Sequence, residues 1–562
     1  MKHLVISFLS ILLVVCPVVV NAAWNTNGTA IAVTTGDQLA VTVAPDGSGG
    51  AIMTWEDHRG TSADIYARRI NASGVGQWGG NGIALCTAAF DQTSPQIVSD
   101  GAGGAIVVWA DGRNGTDDDI YAQRVNGSGV RQWATNGVAL SVAAENQGSL
   151  MVVSDGAGGA IVTWSDYRNP PDYHIYAQRV DASGVVQWTT DGVAVSLAAH
   201  SQLNPAIQID GSGGAILAWD DFRNGVNWDI YAQRVDNTGV TQWTANGVAL
   251  CTAANDQNFP RIATDGAGGG IVTWYDVRNG ATSDIYVQRV NTSGAVQWTA
   301  NGVALCAAAG NQYYPTIASD DAGGAIVAWS DNRGADGDIY ARRVNSTGVP
   351  QWTANGVLLC AAVSDQFSPQ IIADGASGAV VTWEDTRFGT FSDVYVQRIN
   401  ATGSVQWMSG GAPLCTAPDD QTAPMIITDT AGGAIVTWTD YRNHVDGDVY
   451  AQHIFNNGNL PTGVATQTPP LSIEVGDNIP NPFSSDTRIE LLLRHDADVR
   501  VEVFDVAGRR VRALDLGRRG KGASEFRFDG HDDSAHALPS GVYFYRVQAG
   551  NETVTKKMVI AH

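Results

Sequence analysis

A unit of 54 or 55 residues occurs eight times in this chain, and its eighth copy is completed by residues from the opposite end. Each copy carries a WxDxR core, at Trp55, Trp109, Trp164, Trp219, Trp274, Trp329, Trp383 and Trp438. Seven copies continue through a D(I/V)Y segment into QWxxNG or a near variant, as at Gln242 to Gly247; the eighth stops after DVYAQHIFNNG. Its missing tail stands near the start, where Trp24, Asn25, Thr26, Asn27 and Gly28 read WNTNG. A linear array has no reason to split a unit between its two ends, whereas a ring closed by pairing the first strand with the last module does. The expected fold is therefore all-β: an eight-bladed β-propeller over residues 24–456, closed by its N-terminal strand. Stacked repeats share a core, and ring closure removes the exposed sheet edges.

The copy from Asp256 to Leu305 shows how a blade is built. The pattern predicts strands over Pro260–Thr264, Gly270–Tyr275 and Asp284–Val290, and a fourth from Val296-Gln297-Trp298 towards Leu305. Asp265-Gly266-Ala267-Gly268-Gly269 and Asn291-Thr292-Ser293-Gly294 supply turns that tolerate positive φ. Sixteen of the 17 Trp fall at two repeat positions, leaving Trp228 alone outside the framework. The Asp and Arg of WxDxR recur eightfold, as does a Gln before the first strand, from Gln38 to Gln421. One ligand has no use for eight equivalents, so these residues are read as turn-pinning ion pairs and backbone hydrogen bonds.

In order, Pro315, Asp321-Ala322-Gly323-Gly324, Trp329-Ser330-Asp331-Asn332-Arg333 and Asp338-Ile339-Tyr340 resemble the propeller repeats of the TolB type. That resemblance implies a propeller and no particular ligand, and the fourth-strand segment is longer here.

Residues 1–23 read as a secretory signal: Lys2 and His3, an apolar run from Leu4 to Val20, then the small-residue site Val20-Asn21-Ala22. No second comparable run follows, so no transmembrane segment is expected in the mature chain. Mature cysteines are Cys86, Cys251, Cys306, Cys360 and Cys415, all at one repeat position. On the outermost strand of neighbouring blades they lie beyond the ~7 Å that a disulfide spans, so they are expected to be unbridged and buried.

Residues 24–470 hold 19 Arg, no Lys and 42 Asp plus Glu, a balance of −23. Such a surface repels nucleic-acid phosphates and anionic headgroups, which leaves cations, neutral glycans or basic protein surfaces as partners. No GxSxG, HExxH, CxxC or phosphate loop occurs, and no cofactor motif.

Chemistry is expected on one rim, where the loops before the first strand meet those between strands two and three. Variation concentrates there: Asn169-Pro170-Pro171-Asp172-Tyr173-His174, Gly225-Val226-Asn227-Trp228, and Phe388-Gly389-Thr390-Phe391-Ser392. Tyr173, Trp228, Tyr313, Tyr314, Phe388 and Phe391 are the candidate ligand-binding residues, since aromatics beside carboxylates suit stacking on sugars or docking a protein. His58 with His444, and His174 with His200, fall in corresponding or adjacent loops, but nothing in their spacing brings them to one ion. A hydrolase needs residues that break the eightfold pattern in concert, and the sequence shows none. The function expected is an exported module binding a glycan or an extracellular protein; the alternative is a secreted carbohydrate-active hydrolase or lyase of propeller fold.

Residues 457–472 form a Pro, Thr and Gly linker, and 473–562 a separate unit with strands such as Val499–Phe504 and Gly541–Val547. Its motifs Asn481-Pro482-Phe483, Val503-Phe504-Asp505-Val506-Ala507-Gly508-Arg509, Ser540-Gly541-Val542-Tyr543-Phe544-Tyr545 and Lys556-Lys557-Met558-Val559 resemble the C-terminal sorting domain of type IX secretion substrates. The region also resembles the Ig-like domain of the FlgD hook-capping protein, through Val506 to Arg509 and Phe528-Asp529-Gly530. Either resemblance implies an Ig-like β-sandwich. The first implies recognition by the type IX machinery, and export through the periplasm to the outer-membrane surface or beyond.

Overall fold

The computed structural model describes residues 24–461 apart from 390, and 473–562 apart from 477, 494–496, 507, 521 and 550–551. The signal segment 1–23 and most of the linker lie outside the described residues. Among those described, all regular structure is β-strand.

The repeats form eight four-stranded antiparallel sheets. The fifth is representative: Gln257–Thr264, Gly270–Asp276, Asp284–Val290 and Val303–Cys306. Two boundaries differ from expectation. The first strand begins at the repeated Gln, three residues early, because Gln257 pairs with Asp276. The fourth strand follows the WTANG segment, which is a turn joined to the sheet by the single bridge Val290 to Val296. In the third sheet the Asn169–His174 loop is absorbed into longer strands, Ala160–Asn169 and Asp172–Val180, which pair at Asn169 with Asp172.

The eighth sheet takes its outer strand from the other end of the chain. Thr29–Ala32 pairs antiparallel with Asp448–Ile454, Thr29 facing Ala451. Around it, residues 25–28 make the contacts that each other copy makes with its own tail. Gln452 Nε2 donates to Asn25 O at 2.7 Å, as Gln288 Nε2 does to Thr299 O at 2.8 Å. Gly28, at φ +92°, lies so close to the Trp438 ring that a Cβ would approach it to 2.6 Å; Gly247 meets Trp219 in the same way.

Between successive sheets lie separate apolar cores. Ile52, Ile65 and Leu85 of the first sheet meet Ile97, Val107 and Trp109 of the second, and Trp24, Ile31 and Val449 meet Val41, Met53 and Trp55 across the eighth and first. All eight WxDxR tryptophans are fully buried. Each removes ~150–250 Å² from water, on the order of 4–6 kcal/mol gross, which explains why the repeat retains an indole there.

The C-terminal unit pairs Ile473–Val475, Thr487–Leu493 and Gly522–Phe528 in one sheet and Arg510–Arg519, Ala497–Asp505, Gly541–Ala549 and Glu552–Ile560 in another. Ile489, Leu491 and Phe528 from the first sheet and Val499, Val501, Tyr545 and Val547 from the second share one core. Its sequence motifs are structural. Phe483 is buried in that core, and its backbone N donates to Val559 O while Ala561 N donates to Phe483 O. Gly508, at φ +78°, closes a turn in which its N donates to Asp505 O.

Candidate functional site

Two repeated sets of ion pairs engage 15 of the 19 arginines of residues 24–470. In every WxDxR, the Trp Nε1 donates to Asp Oδ2 at 2.6 to 2.9 Å and Arg Nε to Asp Oδ1 at 2.6 to 2.8 Å. The guanidinium also lies 3.5 to 4.0 Å from the centre of the D(I/V)Y tyrosine ring. A carboxylate so occupied has no position left for a metal.

The second ring was missed in the sequence, although its signal is the recurrent AQR, VQR or ARR. Arg69, Arg124, Arg179, Arg234, Arg289, Arg343 and Arg398 pair with the aspartate of the DGxGG-type turn, from Asp46 to Asp374. In the eighth copy the arginine is replaced by His453, whose Nε2 lies 2.8 Å from Asp429 Oδ2.

The five cysteines are buried and free, each beside the Asp–Arg pair of the following copy; Arg278 Nη2 lies 3.3 Å from Cys251 Sγ. Burial pushes these thiols up to about 12.

On the variable rim, neighbouring sheets are stitched by one recurrent contact. The backbone N of Ser283 donates to Asn311 Oδ1 at 3.1 Å, that of Gly337 to Asp365 Oδ1 at 2.8 Å, and that of Trp228 to Asp256 Oδ1 at 3.0 Å. Above the stitches between the fifth, sixth and seventh sheets opens a cavity of about 620 Å³. Its aromatic wall is Phe259, Tyr275, Tyr313, Tyr314 and Phe367. Phe259 stacks on Tyr275 with ring centres 5.7 Å apart, and Tyr313 meets Tyr314 edge-on at 5.1 Å. Tyr313 Oη donates to Asn332 Oδ1 at 2.8 Å, while Tyr314 is 54% exposed.

The backbone explains why these rings face the opening. In each first strand the register slips just before the repeated proline position, and the residue there is left-handed: Ala40, Ser94, Ser149, Asn204, Phe259, Tyr314, Ser368 and Ala423, at φ +50° to +56°. Six of these are small. Phe259 and Tyr314, on adjacent sheets, are the two aromatics, and Tyr275 occupies the variable position of WxDxR. This is a concerted break in the eightfold pattern, made of aromatic rings rather than of the acid, base or nucleophile that a hydrolase needs.

Of the six candidate residues, the structure brings Tyr313 and Tyr314 together at this cavity. Tyr173 belongs to the third sheet, where its ring lies 4.5 Å from that of Tyr167. Trp228 is half-buried against Phe222 at 5.0 Å. Phe388 and Phe391, on the seventh sheet, are 39% and 51% exposed and line no part of the cavity. The histidines do not converge: His174 Nδ1 lies 2.9 Å from Gln202 Oε1, His444 pairs with Asp419, and His58 lies 3.8 Å from Glu56. Among the described residues no group of three or more His, Cys, Asp or Glu is placed to hold a metal.

The variable position of WxDxR carries carboxylates in three copies, Glu56, Asp220 and Glu384. Each accepts from the left-handed residue of the next sheet: Ser94 N at 2.6 Å, Phe259 N at 2.9 Å and Ala423 N at 3.1 Å. Asp220 also accepts from Asn204 Nδ2 at 2.7 Å. Burial raises its carboxyl to about 8, and that of Glu384 to about 7. Asp220 thus sits directly behind the aromatic wall and holds the Phe259 backbone.

Comparison with known proteins covers the two parts unequally. Residues 476–553 match the FlgD Ig-like domain. FlgD of P. aeruginosa is 28% identical over 13% of this chain and 59% of its own, with a TM-score of 0.12. An ulvan lyase, a polysaccharide lyase, is 11% identical over 63% of this chain and 90% of its own, TM-score 0.40. PorZ of Porphyromonas gingivalis, a surface component of the type IX secretion system, is 10% identical over 92% of this chain and 81% of its own, TM-score 0.28. Among curated proteins none matches the sequence. The repeated four-stranded sheets are propeller-like, and the likeness extends to that all-β architecture alone.

Proposed function

We propose that residues 24–456 form a closed eight-bladed propeller that is exported, binds a glycan or an extracellular protein at its variable rim, and is sorted by the Ig-like unit at 473–562. Closure is supported by the outer strand Thr29–Ala32 in the eighth sheet and by the packing of its first strand, Gln421–Thr428, against Gln38–Pro45 of the first sheet. Export is supported by the leader-like 1–23, and sorting by the four ordered motifs of the tail, on whose account the type IX machinery is the proposed partner. The order of motifs in the copy from Pro315 to Tyr340 is the ground for proposing repeats of the TolB type.

The cavity beside Phe259, Tyr275 and Tyr314 carries the binding reading, because it is where the otherwise repeated framework changes in concert on adjacent sheets. Binding fits better than hydrolysis. The two most strongly raised carboxyls, Asp220 and Glu384, are buried and engaged with backbone amides of the next sheet, out of reach of a substrate.

The test is a screen of the chain lacking 1–23 against glycans and cell-surface proteins. Saturable binding to one of these is expected. Turnover of a glycan would replace this reading by the hydrolase or lyase alternative, and absence of any ligand in either class would end it.

A further inference from the structure

Resting on the binding reading above, we propose that the cavity between the fifth, sixth and seventh sheets is a subsite for an uncharged glycan, with Tyr314 and Phe259 as stacking platforms. Its volume of about 620 Å³ falls within the ~300–1,000 Å³ of small-ligand sites. The lining combines aromatic rings with polar side chains and includes no Lys or Arg.

The polar groups have a specific composition. Asn311 and Asn332 spend their Oδ1 atoms on Ser283 N and the Tyr313 hydroxyl, so each leaves an Nδ2 donor without a hydrogen bond among the described residues. Asp365 spends Oδ1 on Gly337 N and leaves Oδ2 as an acceptor. The Tyr314 hydroxyl has no hydrogen-bond partner among the described residues and completes the set. Two amide donors, a hydroxyl and one carboxylate oxygen beside exposed ring faces complement the vicinal hydroxyls and apolar C–H face of a sugar ring.

Charge narrows the class. A uronate, sulfate or phosphate entering this cavity would lose hydration, meet Asp365 and find no cation, in a repeat region whose balance is −23. An ammonium group would find rings and one carboxylate, but it would leave both asparagine amides unmatched.

The backbone makes the platforms rigid. Phe259 and Tyr314 sit at φ +56° and +52° in registers that the other sheets fill with small residues, and Asp220 fixes the first by accepting its amide. Rings held in place before the ligand arrives lower the ordering cost of binding.

The experiment is isothermal titration of the chain lacking 1–23 with neutral tri- to penta-saccharides of glucose, mannose, galactose, xylose and arabinose, with uronate and sulfated oligosaccharides, and with choline. Binding by at least one neutral series is expected, weakened at least ten-fold in Tyr314→Ala and in Asn332→Ala and unchanged in Tyr173→Ala. Thermal unfolding of each variant confirms that it folds. Binding of charged oligosaccharides or choline instead, or neutral binding that Tyr314→Ala and Asn332→Ala leave intact, overturns the subsite. Failure of every neutral glycan also overturns it, while capture of a protein ligand in the same chain would leave the broader binding reading standing.

Discussion

Arg442 Nη2 donates to the backbone carbonyl of Asn27 at 2.7 Å, across 415 residues of chain. The same atom in Arg278 donates to Asn301 within its own copy, also at 2.7 Å. Asn27 therefore stands where the eighth copy's own asparagine would have been. Trp24 reinforces the join, with its ring 3% exposed and its Nε1 donating to Ala72 O at 3.1 Å.

Removing this join loosens the eighth sheet first. Trp24→Ala is expected to cost ~3–5 kcal/mol, the range for burying and then deleting a large aromatic. Hydrogen exchange should show the amides of Asp448–Ile454 losing protection while the fourth sheet, on the far side of the repeat order, keeps its own. Equal loss in all eight sheets would contradict a join local to the first and last copies.

The raised carboxyl of Asp220 gives stability a pH dependence of definite sign. Its folded-state value of about 8 lies above the ordinary 3.8, so the folded protein holds a proton that the unfolded chain has released. The contribution of Asp220 to stability is then fully present below about pH 4 and is lost as pH rises between about 4 and 8. The D(I/V)Y aspartates Asp119, Asp229, Asp284, Asp338 and Asp448, raised by burial to about 6, act in the same direction. Asp220→Asn keeps an acceptor for Phe259 N and removes the ionisation. Denaturant melts at pH 5 and pH 8 should show a smaller drop in the variant than in the parent; a parallel drop would place the dependence elsewhere.

Thiol chemistry provides an independent check of the packing. With burial holding all five thiols up to about 12, the native chain lacking 1–23 should resist alkylation at pH 8. After unfolding, five thiols should react without reductant, because the cysteines are free. Fewer than five would reveal a disulfide.

The tail is expected to fold and act apart from the repeats, since its core is drawn from its own two sheets. Deleting 473–562 should leave the melting of the repeat region within about 2 °C of the parent, and should trap the protein in the periplasm of a host equipped with type IX machinery. Unchanged surface display after deletion would refute the sorting role.

Much of the framework was legible because it is written eight times. The WxDxR pair, the D(I/V)Y ring and the split tail each announce a contact through repetition, and the structure assigns each to burial or ion pairing. The boundaries were less legible. Gln257 begins a strand although its polarity marks a loop, because its Nε2 donates to the carbonyls of Ala254 and Asn255. The left-handed residue before the proline leaves no compositional trace either, since the eight positions hold Ala, Ser, Asn, Phe and Tyr and never Gly. That concealed part of the site: Tyr313 and Tyr314 stand out on the rim in the sequence, whereas Tyr275 looks like framework because it lies within WxDxR. Only the backbone geometry puts them on one wall, while Trp228 and Tyr173, equally prominent in sequence, pack against Phe222 and Tyr167.

The divided eighth sheet also sets an order of events. A chain made from its N-terminus presents Thr29–Ala32 first, yet the partner of that strand ends at Ile454. Seven sheets can assemble from neighbours close in sequence while the leading strand waits with its backbone groups unpaired. The last pairing then carries the largest loop-closure entropy of any in the repeat region. That pairing is therefore expected late, and a chain cut short before residue 448 would keep seven complete sheets while leaving Thr29–Ala32 without its partner.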